Sequence, residues 1–137
     1  MYIKPLTIPW FKIIFAQFES EPLKRALKEC AKEIECKIWY AAPRSVDIVD
    51  IPHFVAVFEW PLWGTFLWES YLQRCKETND DTPWIVIEKN KVHTFPALEI
   101  SKLKKCLYVD TIDCDSINKM IAFIREIKLN LSEYEQR

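Results

Sequence analysis

The stretch Phe58–Tyr71, FEWPLWGTFLWESY, carries the residues of this chain whose types and spacing could do chemistry. Its Gly64 is the only glycine in 137 residues. A Gly-Thr pair opening a helix can turn backbone N–H groups toward an anion, and Glu69, about one turn after Thr65, would point at the same crevice. A carboxylate so placed can attack an electron-poor carbon or stabilise positive charge developing on it. Cleavage of an N-glycosidic bond asks for such a group, because the anomeric carbon becomes oxocarbenium-like. Glu69 is therefore the candidate catalytic residue, with Gln17, Phe18, Trp60, Gly64 and Thr65 as candidate substrate-binding residues around a nucleoside or nucleotide. The plainer reading of the same stretch is a tight turn at Gly64, a helix cap at Thr65 and a solvated Glu69.

Those groups can act together only if the surrounding elements converge on them. Phe11–Phe18 (FKIIFAQF) is apolar and short, the pattern of a strand buried on both faces. Ser20-Glu21-Pro22 follows as a helix start, and Leu23, Leu27, Cys30 and Ile34 form an apolar stripe opposite a solvated charged face. Cys36–Ala42 and Pro52–Phe58 predict the second and third strands, joined by a connection short for a full helix. A helix is expected over 64–78, ended by the turn residues Asn79 to Pro83, and Trp84–Glu88 is the fourth strand. Cys106–Thr111 is the fifth strand, before a last helix capped by Asp113 or Asp115 with Ile117, Ile121, Ile124 and Ile127 or Lys128 on one stripe.

Strands alternating with helices require crossovers, and right-handed crossovers predict an α/β, three-layer flavodoxin-like (Rossmann-like) domain of about five mostly parallel strands flanked by helices. It is expected to span 1–137 as one domain, with a short leader over 1–10 and a frayed tail over 132–137. Ligands of such sheets bind beyond the carboxyl ends of the strands, here near residues 17–21, 41–45, 58–65, 88–91 and 110–113.

Composition removes several classes of function. Nineteen Lys and Arg against 20 Asp and Glu leave no basic surplus for nucleic acid. A single glycine excludes glycine-rich phosphate loops, whose backbone must approach the ligand closely. No apolar run is long enough for a membrane helix and no signal-peptide pattern opens the chain, so a cytoplasmic protein is expected. Five cysteines without a C-x-x-C pair indicate neither a disulfide framework nor a zinc site, and no cofactor is implied. His53 and His93 have no ligand-spaced neighbours and read as structural. Trp60, Trp63, Trp68 and Trp84 gather near the end of the third strand; Trp60 and Trp63, beside Pro61, could line a pocket or a contact with a homo-oligomer or protein partner.

Two resemblances follow from these residues. The Ile48–Ile51 stretch, the Gly64-Thr65 pair and the helix-borne Glu69 after the third strand resemble the nucleoside 2-deoxyribosyltransferase-like and TIR-like group. That resemblance implies an enzyme acting at C1′ of a ribosyl or deoxyribosyl group through Glu69. The sequence departs from the pattern in the four-residue step from Thr65 to Glu69 and in Gln17 and Phe18, where small residues are expected. Glu19-Ser20-Glu21-Pro22-Leu23 and Thr82-Pro83-Trp84-Ile85-Val86-Ile87 resemble two-component receiver domains. The receiver resemblance implies an acidic Mg²⁺ pair at Glu19 and Ser20, a phosphoacceptor at Glu59 or Phe58, a hydroxyl at Glu88 and a Lys at Asp110. Carboxylates at the last two positions would repel a phosphoryl group, so a receiver-like chain of this kind is a silent module that binds a protein partner. Glu19, Glu59, Glu88 and Asp110 would offer oxygen ligands to a hard cation if they converged, whereas strand-end acids are ordinarily solvated loop residues. The nucleoside-processing reading is the first expectation and the silent receiver its alternative.

Overall fold

In a computed structural model the described residues are 8–42, 51–59, 73–88 and 100–131. Pro9 fixes the chain direction and its carbonyl accepts from Lys12 N at 2.9 Å, closing a 3₁₀ turn over Trp10–Lys12. The first strand therefore starts later than its apolar run, and β1 is Ile13–Gln17. Ser20 caps α1 (Glu21–Glu33), its Oγ accepting from Leu23 N at 3.3 Å, with Pro22 in the first turn where no N–H is needed. β2 (Lys37–Tyr40), β3 (Val55–Glu59), β4 (Trp84–Ile87) and β5 (Cys106–Val109) follow. Residues 73–78 and 100–101 are helical, and α2 (Cys114–Asn130) closes the described chain. Of the two expected caps the structure uses Asp113, whose Oδ1 accepts from Ser116 N at 2.8 Å.

All strand pairs are parallel and the order is β2-β1-β3-β4-β5, the flavodoxin-like arrangement. Successive residues of a strand point to opposite faces, and each face has its own core. Ile14, Ala16, Val55, Val57, Ile85 and Ile87 meet Leu23 and Leu27 of α1 and Met120 and Ile124 of α2. Phe15, Ala56, Phe58, Trp84 and Val86 meet Cys75 and Ile100 on the other face. The three inner strands are buried on both sides, which is why IIFA, VAVF and WIVI read as unbroken apolar runs. Each such side chain contributes roughly 1.5–3 kcal/mol by leaving water. Arg125 and Glu33 pair on the surface between the two helices.

Scarcity of glycine has a local cost. The chain leaves α1 through Glu35 at φ 57° and leaves the 73–78 helix through Asn79 at φ 55°. Asn tolerates the left-handed region; Glu does not, since its Cβ crowds the following carbonyl by about 1–2 kcal/mol. Glu35 is exposed, so Glu35→Gly relieves this without removing packed atoms. A gain of about 0.5–1 kcal/mol is expected in urea unfolding; a lower midpoint would refute it.

Among the described residues no helix is long and apolar enough to cross a membrane. Cys30, Cys36 and Cys75 are buried, Cys106 half-buried and Cys114 exposed, all as free thiols. Burial raises the pKa of Cys30 and Cys36 and pushes Cys106 up to about 12, keeping these groups as thiols near neutrality.

Candidate functional site at the carboxyl ends of the strands

Pairing brings the strand ends level. Gln17 stands beside Phe58, Glu59 beside Ile87, and Ile87 beside Val109, so Glu88 and Asp110 each begin the segment one residue past its strand. Glu88 N donates to Val109 O at 2.8 Å, which carries the parallel ladder past β4 and holds that end in place. Glu19, just after β1, donates its backbone N–H to Glu59 Oε1 at 3.0 Å. Above these ends a hollow of ≈ 440 Å³ opens between the turns after β1 and β5, lined by Ser20, Asp110, Thr111 and Ile112.

The electrostatics of this edge are negative. Glu88 is 3% exposed, and its Oε2 is buried with no hydrogen-bond partner among the described residues. Burial and the hydrogen bond to Glu88 push the phenol of Tyr108 on β5 up to about 12, so it stays a donor. Asp110 is exposed at the rim. Among the described residues no three Asp, Glu, His or Cys side chains come close enough to hold a metal ion, so Glu19, Glu59, Glu88 and Asp110 do not gather around one cation position.

The sequence-derived candidates fall on both sides of what is described. Trp60, Gly64, Thr65 and Glu69 lie outside the described residues, as do Trp63, Trp68 and His93. Gln17 is 1% exposed, and its Nε2 donates to Ala42 O at 2.8 Å, tying the end of β1 to the chain leaving β2. Phe18 packs into the core with α1 and α2. Trp84 begins β4 as its apolar run predicts, but it stands opposite Ala56 and is fully buried, away from the carboxyl ends around which the tryptophans were expected to gather. His53 precedes β3 rather than lying in it, with Nδ1 2.6 Å from Ile51 O.

No protein-family model matches the chain, and no curated protein matches its sequence. Solved structures do match its fold. The solution structure of a response regulator protein from Burkholderia multivorans superposes with a TM-score of 0.54 at 14% identity, covering 83% of this chain and 94% of that one. The crystal structure of the Mn²⁺-bound form of response regulator Rcp1 gives 0.51 at 13% identity, with 82% and 91% covered. The chain has the fold of a response regulator receiver. This corrects the first functional expectation: an N-glycosidic enzyme of the deoxyribosyltransferase or TIR type, with a nucleotide ligand, is displaced by the receiver likeness. Gly64, Thr65 and Glu69 had carried that expectation, read against a kind of sheet that hosts many unrelated functions.

Sequence reasoning missed a second polar cluster, on the opposite edge of the sheet. Lys104, with its side chain 0% exposed, places Nζ 3.9 Å from the Trp84 ring centroid, 3.7 Å from Cys75 Sγ and 4.0 Å from Asp80 Oδ1. Burial lowers the pKa of Lys104, and Asp80 and Cys75 act in the other direction. Burial would raise that of Asp80, but Lys104 and the Thr82 N–H together hold it below the usual carboxylate range. The Ser101-Lys102-Leu103-Lys104-Lys105 run looks like solvated surface, so no sequence signal marks this lysine as internal.

Proposed function

We propose that the protein is a receiver-like signalling module that takes up no phosphoryl group and acts by binding another protein. The observation that carries this is the set of carboxylates level with one another at the strand ends: Glu59 bound to the Glu19 N–H, Glu88 buried one step past β4 and Asp110 one step past β5. A phosphoryl group entering there meets negative charge where a hydroxyl and an ammonium would have to receive it, and at about 4 Å like charges repel by a few kcal/mol near a protein surface. The receiver fold supports a role in signalling, and a module of this kind transmits through the surface it presents to partners. Trp60 and Trp63 belong to that reading as candidate contact residues.

The test is intact-mass measurement after incubation with acetyl phosphate and Mg²⁺. The wild-type mass is expected to stay unchanged. Appearance of a phosphoryl adduct, abolished by Glu59→Gln, overturns the proposal.

A further inference from the structure

β2 is an outer strand of the sheet, paired along one side with β1 and, among the described residues, with nothing along the other. Its free side therefore offers a row of backbone N–H and C=O groups, which natural proteins cover, charge or use. Lys37 and Tyr40 of this strand are exposed, Tyr40 at 50%. Between β2 and α1 runs a groove of ≈ 630 Å³ floored by Ala31 and Ile38.

The rim of the groove is strongly basic. Lys24, Lys28 and Lys32 recur every fourth residue and so share a face of α1, Arg25 flanks them, and Lys37 closes the row from the strand. Glu21, paired with Lys24 at 3.6 Å, is the one acid among the lining residues. Arg25, Lys28, Lys32 and Lys37 make no ion pair among the described residues. In a chain of net charge -1, five cations around one groove form a local field that favours an anionic ligand.

Resting on the reading of the chain as a protein-binding module, we propose that this groove docks an acidic, extended segment of a partner protein, which adds as a strand to β2 and sets carboxylates among Lys28, Lys32 and Lys37. The free strand edge decides between this ligand and a nucleic acid. A peptide backbone satisfies the edge N–H and C=O groups, whereas a phosphate chain leaves them unpaired and runs against Glu21. Four residues of β2 span about 13 Å, enough to fix the register of a short segment. Tyr40 then offers an aromatic contact at the strand's carboxyl end.

The test uses fluorescence anisotropy with a labelled peptide of alternating Glu and Val, about ten residues long so that it exceeds the strand. Binding is expected, with amide shifts at residues 37–40 in heteronuclear NMR spectra. It should weaken at least tenfold, about 1.4 kcal/mol, in Lys28→Glu/Lys32→Glu. Both lysines are exposed, so the variant's thermal midpoint serves as the control for folding. The same peptide methylated on alternate backbone nitrogens should also lose at least about tenfold. Failure of the acidic peptide to bind, undiminished binding of the methylated peptide, or equal or tighter binding of oligothymidylate would each overturn the proposal. An unchanged mass in acetyl phosphate together with any of these results removes the groove while leaving the silent-module reading standing; a phosphoryl adduct with intact peptide binding does the reverse.

Discussion

Trp84→Ala is expected to destabilise the fold by about 3–5 kcal/mol, a large share of the 5–15 kcal/mol that holds a typical domain. Trp84 is fully buried at the start of β4, its ring edge-on to Phe58 with centroids 5.1 Å apart. Truncation loses that packing and leaves a cavity between the sheet and Cys75 and Ile100. It also removes the aromatic face under Lys104, whose ammonium lies 4.0 Å from Asp80 Oδ1 and 3.7 Å from Cys75 Sγ. A desolvated cation–π contact is worth about 2 kcal/mol, so Trp84→Phe, which keeps a ring, should cost markedly less than Trp84→Ala. Lys104→Met removes the charge but keeps a long apolar stem. In a double-mutant cycle with Trp84→Ala it should reveal a coupling of about 1–2 kcal/mol. Urea unfolding measures the wild type and all four variants. Equal losses for Phe and Ala at position 84, or additive losses in the cycle, would show that Lys104 does not depend on the ring.

This lysine also marks where sequence stopped being informative. The inner strands were legible because a parallel strand covered on both faces must be apolar at every position, and Ile13–Gln17, Val55–Glu59 and Trp84–Ile87 lie where the runs predict them. The Leu23-Leu27-Cys30 stripe and the Ser20 cap were legible because both are relations within about one or two helical turns. Strand limits were less so. The apolar runs of the first and third strands begin before their ladders, since a 3₁₀ turn after Pro9 and the segment 51–54 occupy the extra residues. Lys104 meets Asp80, Cys75 and Trp84 across 20 to 29 residues of sequence, and no periodicity encodes that meeting.

The candidate site divides along the same line. Which residues stand at the carboxyl ends followed from strand assignment plus a topological rule, so Glu59, Glu88 and Asp110 were placed there from the sequence and the ladders align them. Which chemistry they serve did not follow. The weight given to Gly64, Thr65 and Glu69 rested on spacing within one short stretch, a pattern that turns and caps also produce. The receiver positions, in contrast, combined the ends of four strands, and the sheet that those strands build is what the solved structures share.

Stability is expected to fall with acidification below about pH 6.5, with His53 as a principal cause. Its Nδ1 lies 2.6 Å from Ile51 O, which fixes the neutral tautomer with hydrogen on Nδ1, donating to that carbonyl, and leaves Nε2 as the acceptor. Nε2 is buried with no hydrogen-bond partner among the described residues, and the ring leans on Phe15 at 5.4 Å. Protonation would place an N–H and a positive charge in that enclosure, so burial lowers the pKa of His53. Lys104 adds to the effect, while the Ile51 carbonyl and Asp80 oppose it. The unfolded chain, with an ordinary histidine value near 6.5, therefore binds the proton first. Stability contributed by neutral His53 is full above that value and declines as pH falls toward the folded value, by at most about 1.4 kcal/mol per pH unit. Asp80, held low, loses its contribution in the separate carboxylate window further down, near pH 4 and below. Urea unfolding of the wild type and His53→Phe at pH 7.5, 6.5 and 5.5 separates the two, because Phe keeps the ring and cannot titrate. The difference between the two should be constant above pH 6.5, and below it the wild type should lose stability relative to His53→Phe; parallel curves throughout would mean that His53 takes up its proton as readily folded as unfolded.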